Sequence, residues 1–153
     1  MAYTGGMRIL SHSQVETFKI GLKLAKNLTH GHIFALIGDM GGGKTYFAKG
    51  FARGLGIHGM INSPTFVLMK TYKINKGALR TLCHVDAYRL RRIGEVLDVG
   101  LREYVGRKDT VLLVEWADKL RPLLRNLPLT VIRFAYVSRT DRRITIQKNA
   151  SWR

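Results

Sequence analysis

The hydrophobic pattern near the start of the chain predicts an amphipathic helix. Apolar side chains recur there at intervals of three or four residues, as on one face of a helix: Val15, Phe18, Leu22 and Ala25. Ser13 precedes this stripe, and Glu16 stands three residues after Ser13, in the pattern of a capping box. The stripe therefore predicts a helix that begins close to Ser13.

Shorter apolar runs predict the strands of a sheet. The predicted strands occupy residues 33–37, 66–72, 79–85, 111–114, 129–134 and 143–147, the last two as a closing hairpin. The run at 111–114 is wholly apolar, which is typical of a central parallel strand. Residues 46–55 predict a helix that ends at Gly56, and residues 89–104 predict short, interrupted helix. Helices and strands in this order predict a three-layer α/β domain, a mixed sheet flanked by helices.

The segment GDMGGGKT, which begins at Gly38, matches the phosphate-binding pattern G-x-x-x-x-G-K-[ST] between a predicted strand and a predicted helix. Its central glycines let consecutive N–H groups face a phosphate chain, because they carry no Cβ: Gly41, Gly42 and Gly43. Lys44 can reach the β- and γ-phosphates, and the Thr45 hydroxyl can be one ligand of Mg²⁺. The pattern therefore predicts a P-loop that binds a nucleoside triphosphate.

Two acidic residues end predicted strands. Glu115 follows the run 111–114, and Asp86 follows the run 79–85. Both are expected at the sheet edge where open α/β sheets bind ligands. A phosphate loop needs a metal partner, and we assign Glu115 to Mg²⁺ because it follows the more apolar strand. Asp86 is then free to orient or deprotonate the attacking water. The simpler interpretation is a strand-end carboxylate that faces water or pairs with an arginine.

The segment SPTF, which begins at Ser63, has two interpretations. Pro64 stiffens a loop whose flanking hydroxyls, on Ser63 and Thr65, could sense a γ-phosphate and reorder after hydrolysis. The same residues are also typical of a turn that leads into a strand.

The charge of the chain is strongly positive. Lys and Arg number 26 against 10 Asp and Glu, a net charge of +16. Such a surface favours RNA, DNA or an acidic protein as a partner, through counterion release and steering. A generally basic, solvated surface is the alternative, and no RNA-binding motif accompanies the charge.

Length and composition predict one domain of 153 residues, with a core at about 8–147 and a basic tail at 148–153. No apolar run approaches the roughly 18 residues of a membrane span. Cys83 is the single cysteine, which suits a reducing cytoplasm, and we expect it to be a small buried hydrophobe. Trp152, in the basic tail, is expected to be disordered or to make an incidental contact.

Four segments in this order resemble the TsaE family (formerly YjeE), bacterial ATPases required for making threonylcarbamoyladenosine beside the anticodon of tRNAs. They are GDMGGGKT from Gly38, SPTF from Ser63, HVDAYRL from His84 and LVEW from Leu113. Their order and spacing fit the family over roughly residues 8–147. The combination is far more specific than the phosphate loop alone.

The resemblance implies a role for each candidate site residue. Gly41 to Thr45 would wrap the phosphates of ATP, with Thr45 and Glu115 serving Mg²⁺. Thr65 would be a switch residue, Asp86 the catalytic acid, and Trp116 a neighbour of the nucleotide. Ser13 and the 139–143 segment, which contains Arg142, would lie where the family closes over the nucleoside.

The resemblance also implies partners. Family members work with the transferase TsaD and its partner TsaB in the cytoplasm, and their ATP turnover resets that complex between modification cycles. The threonylcarbamoyl chemistry belongs to TsaD, so this chain would meet tRNA indirectly, or directly through its basic surface.

Two other functions remain open. One is a small phosphotransferase such as a nucleoside monophosphate kinase, although no insertion in the sequence is long enough for a lid. The other is a nucleotide-gated RNA-binding or scaffold protein, whose tRNA affinity would depend steeply on salt and survive removal of the carboxylates. The presence of both Asp86 and Glu115 favours turnover.

Overall fold

The computed structural model of the chain describes residues 6–62, 64, 67–148 and 152 in full, and the backbone of residues 149–150. The strands within this part are β1 (Met7–Ser11), β2 (His32–Gly38), β3 (Met69–Lys76), β4 (Leu79–Asp86), β5 (Thr110–Glu115), β6 (Leu129–Tyr136) and β7 (Arg142–Ala150). The α-helices are α1 (Gln14–Lys26), α2 (Lys44–Gly54), α3 (Ile93–Asp98) and α4 (Arg121–Leu124). Short 3₁₀ helices occupy Leu101–Glu103 and Ala117–Leu120.

The strands form a mixed seven-stranded sheet in the order β1-β7-β6-β2-β5-β4-β3. The four neighbours β6, β2, β5 and β4 are parallel, and the remaining pairs are antiparallel. The carboxyl ends of these parallel strands therefore meet at one edge, with Gly38 ending β2, Asp86 ending β4 and Glu115 ending β5. The predicted α/β fold with a mixed sheet is confirmed.

Helices cover both faces of the sheet, as the three-layer prediction requires. On one face, α2 packs aromatic rings on the sheet: Phe51 lies 4.9 Å from Phe34, and Phe47 lies 5.3 Å from Phe134, between ring centroids. On the other face, side chains of α3, α4 and both 3₁₀ helices pack in a second core. Cys83 lies in that core, where burial raises the pKa of its thiol to about 12. The thiol is therefore protonated and unreactive at neutral pH, in keeping with the predicted buried hydrophobe.

Helices α1 and α2 approach each other through glycines. A Cβ built on Gly50 would lie 1.9 Å from the carbonyl oxygen of Phe18, and one on Gly54 would lie 2.3 Å from that of Leu22. From the α1 side, a Cβ on Gly21 would lie 2.3 Å from the carbonyl oxygen of Phe47. Real side chains do not make such contacts, so only glycine permits this helix separation.

This glycine contact changes the face of α1 that is buried. The sequence predicts a stripe that contains Val15, but Val15 is 61% exposed, and the buried positions are Thr17, Gly21 and Ala25. Ala25 of the predicted stripe is buried and Phe18 and Leu22 are half-buried, so the buried face is shifted toward the small residues that allow the closest approach to α2.

The ends of the chain also differ from expectation. Strand β1 was not predicted, and it pairs antiparallel with β7 at one edge of the sheet. Strand β7 continues to Ala150, three residues beyond the predicted end at 147. The prediction for Trp152 was wrong: its side chain is 7% exposed and belongs to the second core.

Strand β3 begins at Met69, whereas Phe66, its predicted start, lies outside the described residues.

The helices of the described residues include none with the length and apolarity needed to cross a membrane.

We expect Gly50→Ala to lower the free energy of unfolding by about 2–3 kcal/mol, because the new methyl group would meet the backbone of Phe18. Gly94→Ala in α3 is the matched control, since its Cβ would find no atom within 4 Å. That change should be neutral or stabilising by about 0.5–1 kcal/mol. Urea unfolding followed by circular dichroism measures both. A Gly50→Ala protein as stable as the wild type would contradict the close helix contact.

Candidate functional site

A cavity of about 650 Å³ opens at the carboxyl edge of the parallel strands. Its walls come from the loop after β2, the start of α1, the ends of β4 and β5, and the segment that leads into β7. The sequence-predicted residues that line it are Ser13, Gly41, Gly42, Gly43, Lys44, Thr45, Asp86, Glu115, Trp116 and Arg142. Thr65 lies outside the described residues. The fold thus brings distant segments of the chain to one cavity.

The loop between β2 and α2 has the backbone that its glycines allow. Gly41 and Gly43 have φ angles of 76° and 99°, in the left-handed region that favours glycine. A Cβ on Gly41 would meet no atom within 4 Å, so the loop is open on that side. Helix α2 begins at Lys44 without a side-chain cap or an acidic residue in its first turn. Its unpaired N–H groups and positive dipole end suit an anion.

Lys44 is held in place by the loop itself. Its ammonium group donates to the carbonyl oxygens of Gly38 and Asp39, the latter at 2.7 Å, and lies 4.3 Å from the centre of the Trp116 ring. Burial lowers the pKa of Lys44 below its ordinary value, and the negative charge of Glu115 opposes that shift. The cation therefore has a fixed position beside both the loop and the carboxylates.

Glu115 and His84 form a buried pair. His84 Nε2 lies 2.7 Å from Glu115 Oε2, and the two residues are 1% and 3% exposed. A carboxylate only accepts hydrogen bonds, so Nε2 donates when Glu115 is ionised. This bond fixes one oxygen of a side chain that also lines the cavity. His84 begins the HVDAYRL segment but was not predicted as a site residue, and it is bonded to one.

Hydrogen bonds with the backbone of neighbouring segments hold Asp86 in position. Its Oδ1 accepts the N–H of Tyr88 at 2.9 Å, and its N–H donates to the carbonyl of Leu68 at 2.9 Å. In the register of the sheet Asp86 is paired with Glu115, which places the two acids on adjacent strands. The side chain is 4% exposed, so it can act on only what enters the cavity.

Trp116 has an unusual backbone. Its φ of 56° is left-handed, a conformation that costs a residue other than glycine of the order of 1–3 kcal/mol. The Tyr88 ring lies 5.0 Å away, and Lys44 lies over the indole. Tyr88 is in turn fixed by Lys119, which donates to its carbonyl oxygen. Sequence reasoning did not select Tyr88 as a site residue, although it lies in the HVDAYRL segment.

The oxygen donors of the cavity fit magnesium. Thr45 offers a hydroxyl, and Glu115 and Asp86 offer carboxylates. In the part of the chain that the structure describes, no three His, Cys, Asp or Glu side chains are grouped to hold a metal by themselves. Mg²⁺ is commonly bound by one or two carboxylates together with phosphate oxygens and water, so this donor set suits a metal that arrives with a nucleotide.

Two residues close the far side of the cavity. Arg142 donates from Nε to the carbonyl of Gly41 at 2.7 Å, and it lies 4.6 Å from the centre of the Tyr136 ring. Ser13 caps α1, because its hydroxyl accepts the N–H of Glu16 at 3.1 Å. The capping box is shifted by one residue, since Glu16 accepts the N–H of His12 instead of that of Ser13. Arg142 therefore ties the start of β7 to the phosphate loop.

Comparisons with known proteins cover every one of these elements. A family model described as "Threonylcarbamoyl adenosine biosynthesis protein TsaE" matches residues 11–145. The tRNA threonylcarbamoyladenosine biosynthesis protein TsaE of Bacillus subtilis is 43% identical over 117 residues, which are 76% of this chain and 70% of that protein. The protein of the same name in Treponema pallidum is 37% identical over 125 residues, 82% of this chain and 89% of that protein.

A solved structure agrees with these relatives. The crystal structure of Bacillus subtilis YdiB matches with a TM-score of 0.78 and 31% identity, over 98% of this chain and 90% of that one. The similarity is therefore one of both sequence and fold, and it extends over the whole cavity.

We expect His84→Leu to lower the free energy of unfolding at neutral pH by about 3 kcal/mol, because it leaves the buried Glu115 carboxylate without that donor. The same change should cost clearly less in a Glu115→Gln background, since a neutral amide is cheaper to bury. Chemical unfolding of the wild type, the two single variants and the double variant gives the coupling energy between His84 and Glu115. Equal losses in both backgrounds would show that the pair contributes nothing beyond packing.

Proposed function

Because this chain belongs to the TsaE family, we propose that it hydrolyses ATP within bacterial tRNA threonylcarbamoyladenosine biosynthesis and thereby resets the TsaD–TsaB transferase between cycles. The named relatives are proteins of that biosynthesis. The observation that carries the proposal is the meeting of Lys44, Thr45, Asp86 and Glu115 in one cavity.

The phosphate chain of ATP would lie on the loop and the start of α2. The N–H groups of the glycine loop and the first turn of α2 would donate to phosphate oxygens. Lys44 would exchange its bonds to the carbonyls of Gly38 and Asp39 for bonds to the β- and γ-phosphates. The lysine already stands at the loop, so little ordering accompanies binding.

Thr45 and Glu115 would hold Mg²⁺ beside the phosphates. When bound, the ion neutralises charge that develops on the phosphate oxygens during transfer. The protein would contribute by orienting the oxygen atoms that bind the ion. His84 fixes Oε2 of Glu115, and the register of β4 and β5 places Asp86 next to Glu115.

Asp86 would orient a water molecule for attack on the γ-phosphorus. Its Oδ1 is engaged by the N–H of Tyr88, which sets the plane of the carboxyl group. The water oxygen would bond to phosphorus as the bond to the β-phosphate oxygen breaks and the water gives one proton to Asp86, which yields ADP and inorganic phosphate. Thr65 would respond to the loss of the γ-phosphate, and Trp116, Ser13 and Arg142 would border the nucleoside.

The first test concerns nucleotide binding. Lys44→Ala should weaken ATP binding about 10–100-fold, because a charge-assisted hydrogen bond is worth about 1.5–3 kcal/mol. Lys23→Ala, which removes an equal charge from the exposed face of α1, is the matched control and should bind ATP normally. Isothermal titration calorimetry measures both, and unchanged affinity in Lys44→Ala would refute the phosphate-loop assignment.

The second test concerns function. Threonylcarbamoyladenosine is measured on tRNA over many cycles with the TsaB–TsaD pair of the same organism, with and without this chain. We expect repeated cycles only with the wild-type chain and ATP. Asp86→Asn should bind ATP but lower its hydrolysis about 10²–10⁴-fold and stop cycling, because an amide does not accept the proton of water.

The control for that experiment is Asp98→Asn, an exposed change in α3 that should retain full activity. Products are identified in the same reactions: ADP and inorganic phosphate support an ATPase, and a phosphorylated acceptor would identify a phosphotransferase instead. Cycling that is independent of this chain, with an active TsaB–TsaD pair, would overturn the proposal.

A further inference from the structure

Apart from the cavity, the sheet carries a charged surface on the face opposite to helices α1 and α2. It consists of Arg8 on β1, Arg133 on β6 and Arg143 on β7, which we call the arginine face. In each strand the adjacent apolar residues contribute to the core beneath α1 and α2: Ile9, Ile132, Phe134 and Ile144. Because successive side chains of a strand point to opposite faces, the three arginines project from the other side of the sheet.

The sheet register brings these arginines together. Thr145 of β7 pairs with Arg8 on one side and with Arg133 on the other, and Arg143 lies two residues before Thr145 on the same face. Neighbouring strands are about 4.8 Å apart, and alternate residues are about 6.7 Å apart. The three Cα atoms therefore lie within roughly 10 Å of one another, across three adjacent strands.

In the part of the chain that the structure describes, no acidic side chain is paired with these arginines. The strands β1, β6 and β7 contain no Asp or Glu, and Arg8, Arg133 and Arg143 are all exposed. Within the described residues, none of the three makes a salt bridge or a side-chain hydrogen bond. The nearest acid along β7 is Asp141, which is bonded to His12 at 3.1 Å. An anionic partner would therefore relieve the mutual repulsion of the arginines.

We propose that the arginine face binds the phosphate backbone of RNA. Guanidinium groups match phosphate oxygens in shape and charge, and contacts of this kind hold nucleic acids without reading sequence. An acidic protein fits less well, because protein interfaces rely on buried aromatic and apolar anchors. On this face Arg143 pairs with Leu10 on one side and with the small Ala135 on the other. The position between the other two arginines is the polar Thr145, so no aromatic anchor lies at these positions among the arginines.

The arginine face is separate from the nucleotide cavity. Arg142 lines the cavity and donates to Gly41, whereas Arg143, its neighbour in β7, points to the opposite side of the sheet. RNA binding at this face is therefore independent of ATP hydrolysis, and either property can fail without the other.

The test compares two triple variants with equal changes of charge. The first, Arg8→Gln with Arg133→Gln and Arg143→Gln, removes the arginine face. The second, Lys19→Gln with Lys23→Gln and Lys26→Gln, removes three exposed charges from α1 on the other side of the sheet. Fluorescence anisotropy with labelled unmodified tRNA measures affinity from about 50 to 200 mM NaCl, the range over which phosphate contacts weaken strongly.

We expect the arginine variant to bind tRNA at least about tenfold more weakly at low salt, and its log–log salt slope to be shallower by about 2–3. The lysine variant should stay within about threefold of the wild type. ATP affinity and melting temperature should be unchanged in both, which shows that the fold and the cavity are intact.

Each of the following results would overturn the proposal. The first is equal weakening by both variants, which would reflect overall charge. The second is wild-type affinity in the arginine variant, or no tRNA binding by the wild type. The third is displacement of tRNA by poly-glutamate at equal charge concentration, which would assign the face to an acidic polypeptide. A wild-type chain without ATPase activity but with arginine-dependent tRNA binding would leave this inference standing and refute only the proposed function.

Discussion

The contact between α1 and α2 determines where the site residues lie. Glycines at 21, 50 and 54 bring the helix backbones within reach of each other, with no room for a Cβ. Helix α2 begins at Lys44 and α1 is capped by Ser13, so this one contact fixes both the phosphate loop and the opposite wall of the cavity. A looser helix pair would move these two walls apart and separate the groups that a nucleotide must touch at once.

Buried charges give the cavity its chemistry. Lys44, Glu115 and Asp86 are all nearly inaccessible, and charges in such surroundings are stable only with partners. The carbonyls of the loop hold the ammonium group, His84 holds one oxygen of Glu115, and the N–H of Tyr88 holds Asp86. Groups that are already oriented would need little rearrangement on the proposed binding of phosphate and metal, and such preorganisation is the usual basis of electrostatic catalysis.

The same sheet presents a different chemistry on its far side. Alternation along β7 sends Arg142 to the cavity and Arg143 to the arginine face. Two surfaces that we propose bind anions, one a nucleotide and the other RNA, can thus be built from consecutive residues of one strand. Part of the net charge of +16 lies there, in strands that contain no acid.

The sequence by itself determined the glycine loop, the strands that end in Asp86 and Glu115, and the α/β class. These are local properties, since apolar runs, glycine spacing and strand-end acids lie within short segments. Tertiary structure decided what depends on segments far apart in the chain. Examples are the burial of Trp152, the pairing of β1 with β7, the small-residue face of α1, and the bond between His84 and Glu115 across 31 positions. Periodicity could not reveal these, because each arises from which surfaces meet after folding and not from the preference of any one segment.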